Sequence, residues 1–556
     1  MQRPPRTRKS SLTLAVFRPW GSWARYRRAG NRGTAYLAGG SGREPQLSAA
    51  DRLGINPILG IFSGFVAPRF ARVVEIDAPP PLSVEYRGLE PVPEDERHGS
   101  LRSMMWTWFA ANIGILTVTV GSGLVTVLHL NAWQAVLVAL VGALGSFAFV
   151  ALISLAGPWS GAPTLVASRA TFGTRGNLVP AAISWIVLVV LETVMATTAA
   201  FAISSIVELL GFPTGPWLTI PVVVLLVAGA TAIGYFGHSM ILLVQKWLGW
   251  VLAPVMLVLC IVALTTVDWK LALSVPAADF GSVMAGIGLV AAGTGVSWLS
   301  TGADYSRYLP ATVSKRRLFA SVLGGSAVPL VLLVASGAFL ALGNSAAAGL
   351  ALPDWLLVPY LIASVLGLLA AADLAMYSSG LSLQATGVPL SRPVAFLVSA
   401  GVVLVTAVVV VTTQTVSGDL TFAEALPLVV AIFSPPLVAW VGVFGLDLVL
   451  RRDLFDGDLT DTSADGDFWF SGGFHWPAVA AWLAGSILGL LCIRITGDNG
   501  QTVLFSGPLG ETWLGLNSLG WLVAGIWASA VYWVLEPLTR RHLPGRAHAE
   551  DDDAEL

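Results

Sequence analysis

The chain has 556 residues, of which 55% are hydrophobic and only 12% are charged, and its mean hydropathy is +0.75. Soluble domains carry about 25% charged residues, so a water-soluble globular protein is excluded. The formal net charge of −2 conceals a segregation. Twelve apolar stretches of roughly 20 residues divide the chain, each long enough to cross a bilayer. With the N-terminus inside, only Lys270 and Arg494 of the 31 Lys and Arg fall outside. This asymmetry is the signature of a multi-pass inner (plasma) membrane protein with both termini cytoplasmic, and it points toward transport. Cys260 and Cys492 both lie within spans and read as free buried thiols. Six histidines are scattered and neither HExxH nor CxxC occurs, so no metal-ligand set is visible.

In chain order, residues 1–100 come first, with 15 of the 31 positive charges, much Gly, Pro and Ser, and no stretch of membrane length. They read as a disordered cytoplasmic tail. Leu12 to Trp20 is too short and interrupted to span, and a signal peptide fits poorly. A true start near Val73 is an open alternative. Residues 101–540 form the transmembrane domain, with spans expected at 104–127, 132–156, 178–208, 216–234, 240–266, 281–303, 318–342, 355–384, 393–414, 422–446, 475–495 and 514–536. The inner loops carry Arg169 and Arg175, then Arg307 and Lys315 to Arg317, then Arg451 and Arg452 followed by an acidic run to Asp467. Residues 541–556 form a charged cytoplasmic tail.

Two spans are poor helices. The first holds Asn112, Gly114, Gly121 and Gly123; the sixth holds Gly286, Gly288, Gly293-Thr294-Gly295 and Ser297. Glycine costs roughly 1 kcal/mol against Ala inside a helix, and irregular backbone at membrane depth is tolerated where it lines a cavity. The two spans are five apart, the spacing of an inverted repeat of five plus five helices with a central site. For the scattered glycines close helix packing is expected; for Gly293-Thr294-Gly295, unwinding is expected.

Four segments resemble the nucleobase:cation symporter-1 family of purine, cytosine, uracil, allantoin, hydantoin and thiamine permeases. They are Gly88 to Arg97 leading into Trp106-Thr-Trp-Phe-Ala-Ala-Asn-Ile113, Ser168-Arg-Ala-Thr-Phe-Gly173 with Gly176, Asn177 and Pro180, Trp298-Leu-Ser-Thr-Gly-Ala-Asp-Tyr-Ser-Arg-Tyr-Leu-Pro310, and Tyr377-Ser-Ser-Gly-Leu-Ser-Leu-Gln384. The resemblance covers residues 85–540. It implies an all-α polytopic membrane protein of 12 transmembrane helices, with the 5+5 inverted-repeat (LeuT-like) transporter fold plus two C-terminal helices. It also implies secondary transport coupled to H⁺ or Na⁺.

A planar heteroaromatic substrate needs an aromatic platform and a few hydrogen-bonding groups at mid-membrane. Trp298 stands where the family carries a stacking Trp. Asn112, Gly295, Ser297 and Glu192 complete the expected substrate site, although Asn112 reads equally as a helix-to-helix hydrogen bond. The resemblance also shows departures. The family's second stacking Trp falls on Leu191, its amide on Met195, its eighth-span Asn on Ala375, and its Na⁺-ligating hydroxyls near Leu369 and Ala370. Two acids are gained, Glu192 and Asp373. An acid within a span is a functional candidate, so both are expected ion-coupling groups favouring H⁺ over Na⁺, unless each only holds helices together. Glu192 also suits a ring N–H. Asp304, Arg307 and Arg169 are expected gate residues: Asp304 and Arg307 anchor the inner end of the sixth span, and Arg169 pairs with an acid across the mouth.

The expected function is import of a nucleobase or related small heteroaromatic compound by cation symport. No cofactor beyond the coupling ion is expected, and the partners are substrate, cation and membrane lipid, with no nucleic acid. Thiamine, an amino acid, or a non-transporting sensor remain alternatives. An enzyme is not expected, because no nucleophile with base, metal ligands or paired carboxylates is visible. The oligomeric state is not legible.

Overall fold

The computed structural model describes residues 82–342, 352–417, 421–451, 453–496 and 503–540. The chain divides into two compact units, Met1–Val73 and Val74–Leu556, and every described residue lies in the second. A helix answers each of the twelve expected spans. Span one is split into Leu101–Ala111 and Ile115–Thr126, bent by 58°. Spans two to five are Ala132–Ser160, Leu178–Leu209, Pro216–Phe236 and His238–Thr266. Span six, Phe280–Ser306, is interrupted; spans seven to nine are Lys315–Leu342, Asp354–Ala385 and Arg392–Ser417. Span ten is Thr421–Leu450, span eleven Trp476–Leu491 and span twelve Gly520–Arg540. Among the described residues, nine helices are long and apolar enough to cross a membrane, or ten with the bent pair. Before span twelve, a short antiparallel ribbon pairs Arg494–Thr496 with Val503–Ser506.

Sequence-local chemistry starts these helices where they start. Ser100 and Ser103 form a reciprocal capping box at span one, and Asn131 and Gln134 form another at span two. Asp279 accepts from the Ser282 N–H at the head of span six. Each cap satisfies backbone donors that a helix end leaves open.

The packing carries an internal symmetry that the sequence only hinted at. Span one packs on spans five and seven, while span six packs on spans ten and two. Span three lies along span eight, and span four along span nine. Span four touches span eight as span nine touches span three, and span five touches span eight as span ten touches span three. Adding five to each number, and counting past ten back to one, maps this set of contacts onto itself. Five crossings reverse direction, so the two sets of five are inverted copies. Spans eleven and twelve pack on each other and on span ten, outside the repeat.

The expected disorder through residue 100 does not hold for residues 82–100. They form a strap across the charge-rich end of the bundle. Glu85 N–H donates to the Phe236 carbonyl, Val92 N–H to Gly161 and Gly99 N–H to Tyr308. Buried Arg97 donates to the carbonyls of Val92 and Pro158. Its acidic stretch Glu94–Glu96 forms one 3₁₀ turn. Composition suggested a solvated tail, but backbone hydrogen bonds to three separate helix ends hold it. The 1–81 part of that expectation lies outside the described residues.

Candidate functional site

Both broken helices break at mid-height, and side chains cover the exposed backbone. In span one the helix ends at Asn112, whose Nδ2 donates to the Trp108 carbonyl at 2.6 Å. Thr117 Oγ1 then donates to the Asn112 carbonyl at 3.2 Å. Asn112 is thus first a cap for the break. In span six the helix ends at Gly293, and Thr294 turns the chain with φ −128° and ψ −99°. A 3₁₀ segment follows over Gly295–Thr301. Thr294 Oγ1 donates to Val290 and Ser297 Oγ to Ala292, covering carbonyls near the break. Such satisfaction is required where irregular backbone sits at membrane depth. Gly295 presses on span two: a Cβ there would lie 2.6 Å from that of Ser146.

These turns position Trp298. It is buried, with its ring perpendicular to Trp108 at 5.8 Å. Trp108 also meets Phe147 and Tyr305 edge-on, at 5.6 Å each. The result is an aromatic cluster from spans one, two and six, with Trp108 at its centre. The sequence reading singled out Trp298 but missed Trp108, four residues before the Asn112 cap. The buried Trp108 indole N–H has no acceptor among the described residues. On the charge-rich side of Trp298, Ser184 of span three donates to Ser300 at 2.7 Å and lies 3.1 Å from Ser382. Hydroxyls link spans three, six and eight there.

Both acids are fully buried. Among the described residues neither carboxyl oxygen of Glu192 has a hydrogen bond within 3.5 Å, although Ser379 of span eight lies beside it. Asp373 Oδ1 accepts from Gln245 Nε2 of span five at 2.9 Å, and that same nitrogen donates to the Ala370 carbonyl at 2.6 Å. Asp373 Oδ2 and Gln245 Oε1 have no hydrogen bond within 3.5 Å among the described residues. Gln245 carried no signal in the sequence beyond being polar within a span.

At the charge-rich end, Asp304 and Arg307 face different partners. Asp304 Oδ1 accepts from Thr164 N–H at 2.8 Å and Thr164 Oγ1 at 2.9 Å. Arg307 donates to the Gly88 carbonyl at 2.8 Å, to Tyr377 at 2.9 Å and to Glu85 at 3.1 Å. Glu85 is the hub of this end and was not singled out. It also accepts from Tyr308 and from Tyr377 at 3.0 Å, takes the His238 N–H at 2.8 Å, and lies 4.0 Å from Arg392. Burial alone would raise the Glu85 carboxyl, but Arg307 and Arg392, with the Tyr308 and His238 donors, hold it below its ordinary 4.5. Arg392 ties the same point to the carbonyls of Gly234 and Tyr235. Through its backbone N–H and its carboxylate, Glu85 therefore joins the strap to spans four, five, six, eight and nine.

The expectation that Arg169 pairs with an acid is not met. Arg169 is buried and donates to the Leu459 carbonyl at 3.1 Å, with no ion pair to a described residue. Burial without a counter-charge lowers its pKa. Two residues on, Thr171 donates instead to Asp447 at 2.6 Å, and Asp447 is paired with Arg451.

Two interlocked sets of five helices, each opened by a helix broken at mid-height, form an inverted-repeat membrane fold around a central region. A family described as permeases for cytosine/purines, uracil, thiamine and allantoin matches residues 91–514, and the chain belongs to that family. YxlA of Bacillus subtilis (strain 168) is 29% identical over 265 residues, 47% of this chain and 54% of that protein. The purine-cytosine permease FCY2 of Saccharomyces cerevisiae (strain ATCC 204508 / S288c) is 28% identical over 276 residues, 49% of this chain and 50% of that protein. The chain spans about half the length of these curated relatives. Among solved structures, Mhp1, a nucleobase-cation-symport-1 family transporter in a closed conformation with bromovinylhydantoin bound, superposes with a TM-score of 0.61. The identity is 16%, over 83% of this chain and 97% of that one. That likeness establishes the fold.

Proposed function

We propose that this protein imports a nucleobase or related small heteroaromatic compound across the cell membrane by cation symport, with the proton as the coupling ion. Both termini lie in the cytoplasm on this reading, so the strap closes the inner end. The observation that carries it is the aromatic cluster held between two broken helices in a chain of the permease family. Trp298 supplies a ring face for stacking at the interrupted turn. The Trp108 indole and the Glu192 carboxyl supply an unused donor and unused acceptors for ring edges.

Proton coupling is supported by the surroundings of Asp373. Sodium requires several oxygen lone pairs directed at one point. Here the Ala370 carbonyl and Asp373 Oδ1 are both turned toward the amide nitrogen of Gln245. An acid without a cation partner in a span costs about 2.5–3.5 kcal/mol at the helix centre when charged. Asp373 and Glu192 are thus suited to carry a proton inward. Arg307 and Asp304 serve the inner gate, the first through the strap and the second through Thr164.

The test is uptake of labelled cytosine, purines, uracil, allantoin, hydantoin and thiamine by transporter-deficient cells. One compound should accumulate with an imposed pH gradient, and Trp298→Ala should abolish accumulation at equal expression. Accumulation that follows Na⁺ and ignores pH would overturn the proton assignment. No accumulation of any of them would overturn the substrate class.

A further inference from the structure

Three of the four segments that marked the family meet at one cavity in the charge-rich end. The cavity holds about 410 Å³, within the range of small-molecule sites. Its wall takes Leu89 and Glu90 from the strap, Arg169 from the Ser168–Gly173 segment and Gln384 from the end of the Tyr377–Gln384 segment. Thr460 and Thr462, from the loop between spans ten and eleven, complete it. Gln384 lies in the last turn of span eight, two residues beyond Ser382, which meets Ser184 on the charge-rich side of Trp298. The cavity therefore sits past that hydroxyl junction, between the aromatic cluster and the inner end.

Two polar groups of this wall are held in place but unused. Arg169 and Gln384 are only 4% and 7% exposed. Arg169 directs Nη1 to the Leu459 carbonyl at 3.1 Å, and its Nε has no partner among the described residues. Gln384 directs Nε2 to the Leu390 carbonyl at 2.7 Å, and its Oε1 has no partner among them either. Burying a polar group without a hydrogen bond is costly, and burying an unpaired charge more so. One wall thus offers a spare donor and a spare acceptor.

We propose that this cavity is a second binding site for the transported compound, in which Arg169 donates to a ring carbonyl and Gln384 Oε1 accepts from the adjacent ring N–H. The proposal rests on the heteroaromatic-import reading above and goes beyond it. It adds a site and names the edge that the site reads, a lactam or ureide edge with C=O beside N–H.

The wall is fitted to a neutral edge and not to an anion, although Arg169 carries no ion pair. Glu90 stands on the same wall, with Oε2 taking the Gly88 N–H at 2.9 Å. Thr460 turns its N–H and its hydroxyl to Asp458, at 2.8 and 2.7 Å. A carboxylate or phosphate would answer the Arg169 donor but leave Gln384 Oε1 facing another acceptor, whereas a lactam edge answers both atoms. The strap is the cover of the site. Gly88 lies so close to Gln384 that a Cβ on it would stand 2.8 Å from Oε1. Moving Gly88 away uncovers the acceptor and opens the cavity toward the inner side.

The test uses the full chain, purified in detergent, and the compound that the intact chain concentrates in the uptake panel. Trp298→Ala removes the central platform, so the binding left in that variant reports the cavity. It should retain one ligand per chain by equilibrium dialysis, and adding Arg169→Gln or Gln384→Leu should weaken that binding at least about tenfold. An analogue methylated on the ring nitrogen should bind this variant at least about tenfold more weakly than the parent compound. Val388→Cys, in the otherwise intact chain, puts a thiol on the cavity wall while both native cysteines are buried. Ligand at about ten times its dissociation constant should slow maleimide labelling of that thiol about tenfold, and Gln384→Leu should remove the protection. If Trp298→Ala binds nothing and Val388→Cys is unprotected while the intact chain binds one ligand, the second site is wrong and the Trp298 site stands. If the remaining binding ignores both Arg169→Gln and Gln384→Leu, the cavity is not where the ligand sits. Displacement by acetate or inorganic phosphate would make this an anion site and overturn the ring-edge assignment. If the intact chain concentrates none of the panel, the import reading fails and this site fails with it.

Discussion

Neutralising Glu85 should loosen the charge-rich end without touching the central site. The carboxylate takes donors from Arg307, Tyr308, Tyr377 and the His238 N–H, with Arg392 at 4.0 Å. Glu85→Gln keeps one acceptor oxygen, removes the charge, and turns an NH₂ group toward side chains that are themselves donors. Neutralising one member of a buried ion pair costs about 3–5 kcal/mol. The Glu85 side chain retains 14% exposure, which lowers the expected cost to about 2–3 kcal/mol through solvent screening. The ratio of fastened to released strap should then fall roughly 30- to 150-fold. Hydrogen–deuterium exchange reads this directly. The amides of Val92 and Gly99 are protected by Gly161 and Tyr308 carbonyls, and both should exchange faster by that factor. The helix Ala132–Ser160 serves as an internal control and should not change. Unaltered protection at Val92 and Gly99 in Glu85→Gln would refute the idea that this carboxylate fastens the strap.

Further outcomes follow from the same geometry. The folded Glu85 carboxyl lies below its ordinary 4.5, so its contribution is complete above that pH and is lost only as pH falls through the depressed value. A nitroxide on Leu89→Cys should therefore stay immobilised from neutral pH down to about 4.5 and mobilise only below, as read by its spectrum; mobilisation near pH 6 would contradict this. Gly367→Ala should sharply lower yield and thermal stability, because a Cβ there would overlap the Ile113 carbonyl oxygen at the break in span one. Gly401→Ala meets nothing within 4 Å and should leave the melting temperature in detergent unchanged or slightly raised. Trp108→Phe keeps a ring in the aromatic cluster but removes the unpartnered N–H. If that N–H meets a substrate edge, it should weaken apparent substrate affinity about tenfold at normal expression, and an unchanged affinity would remove Trp108 from the site.

The sequence determined the solvent this protein lives in, the places of its apolar helices and the height of the break in span six. Those features are local: a run of apolar side chains decides membrane insertion, and Gly293-Thr294-Gly295 decides where span six unwinds. It also pointed to Trp298 and the buried acids, because such residues are conspicuous against an apolar background. Tertiary structure decided who meets whom. Glu85 looked like one more charge in a solvated tail, since its partners Arg307, Tyr377 and Arg392 are 222, 292 and 307 residues away. Arg169 looked like a gate cation for an acid, yet its partner is the Leu459 carbonyl, 290 residues away. Gln245 looked like a stray amide until the packing of span five on span eight brought it to Asp373. Hydropathy and helix breaks are properties of neighbours in the chain, whereas partners for buried polar groups are chosen only when the two inverted sets of helices interlock.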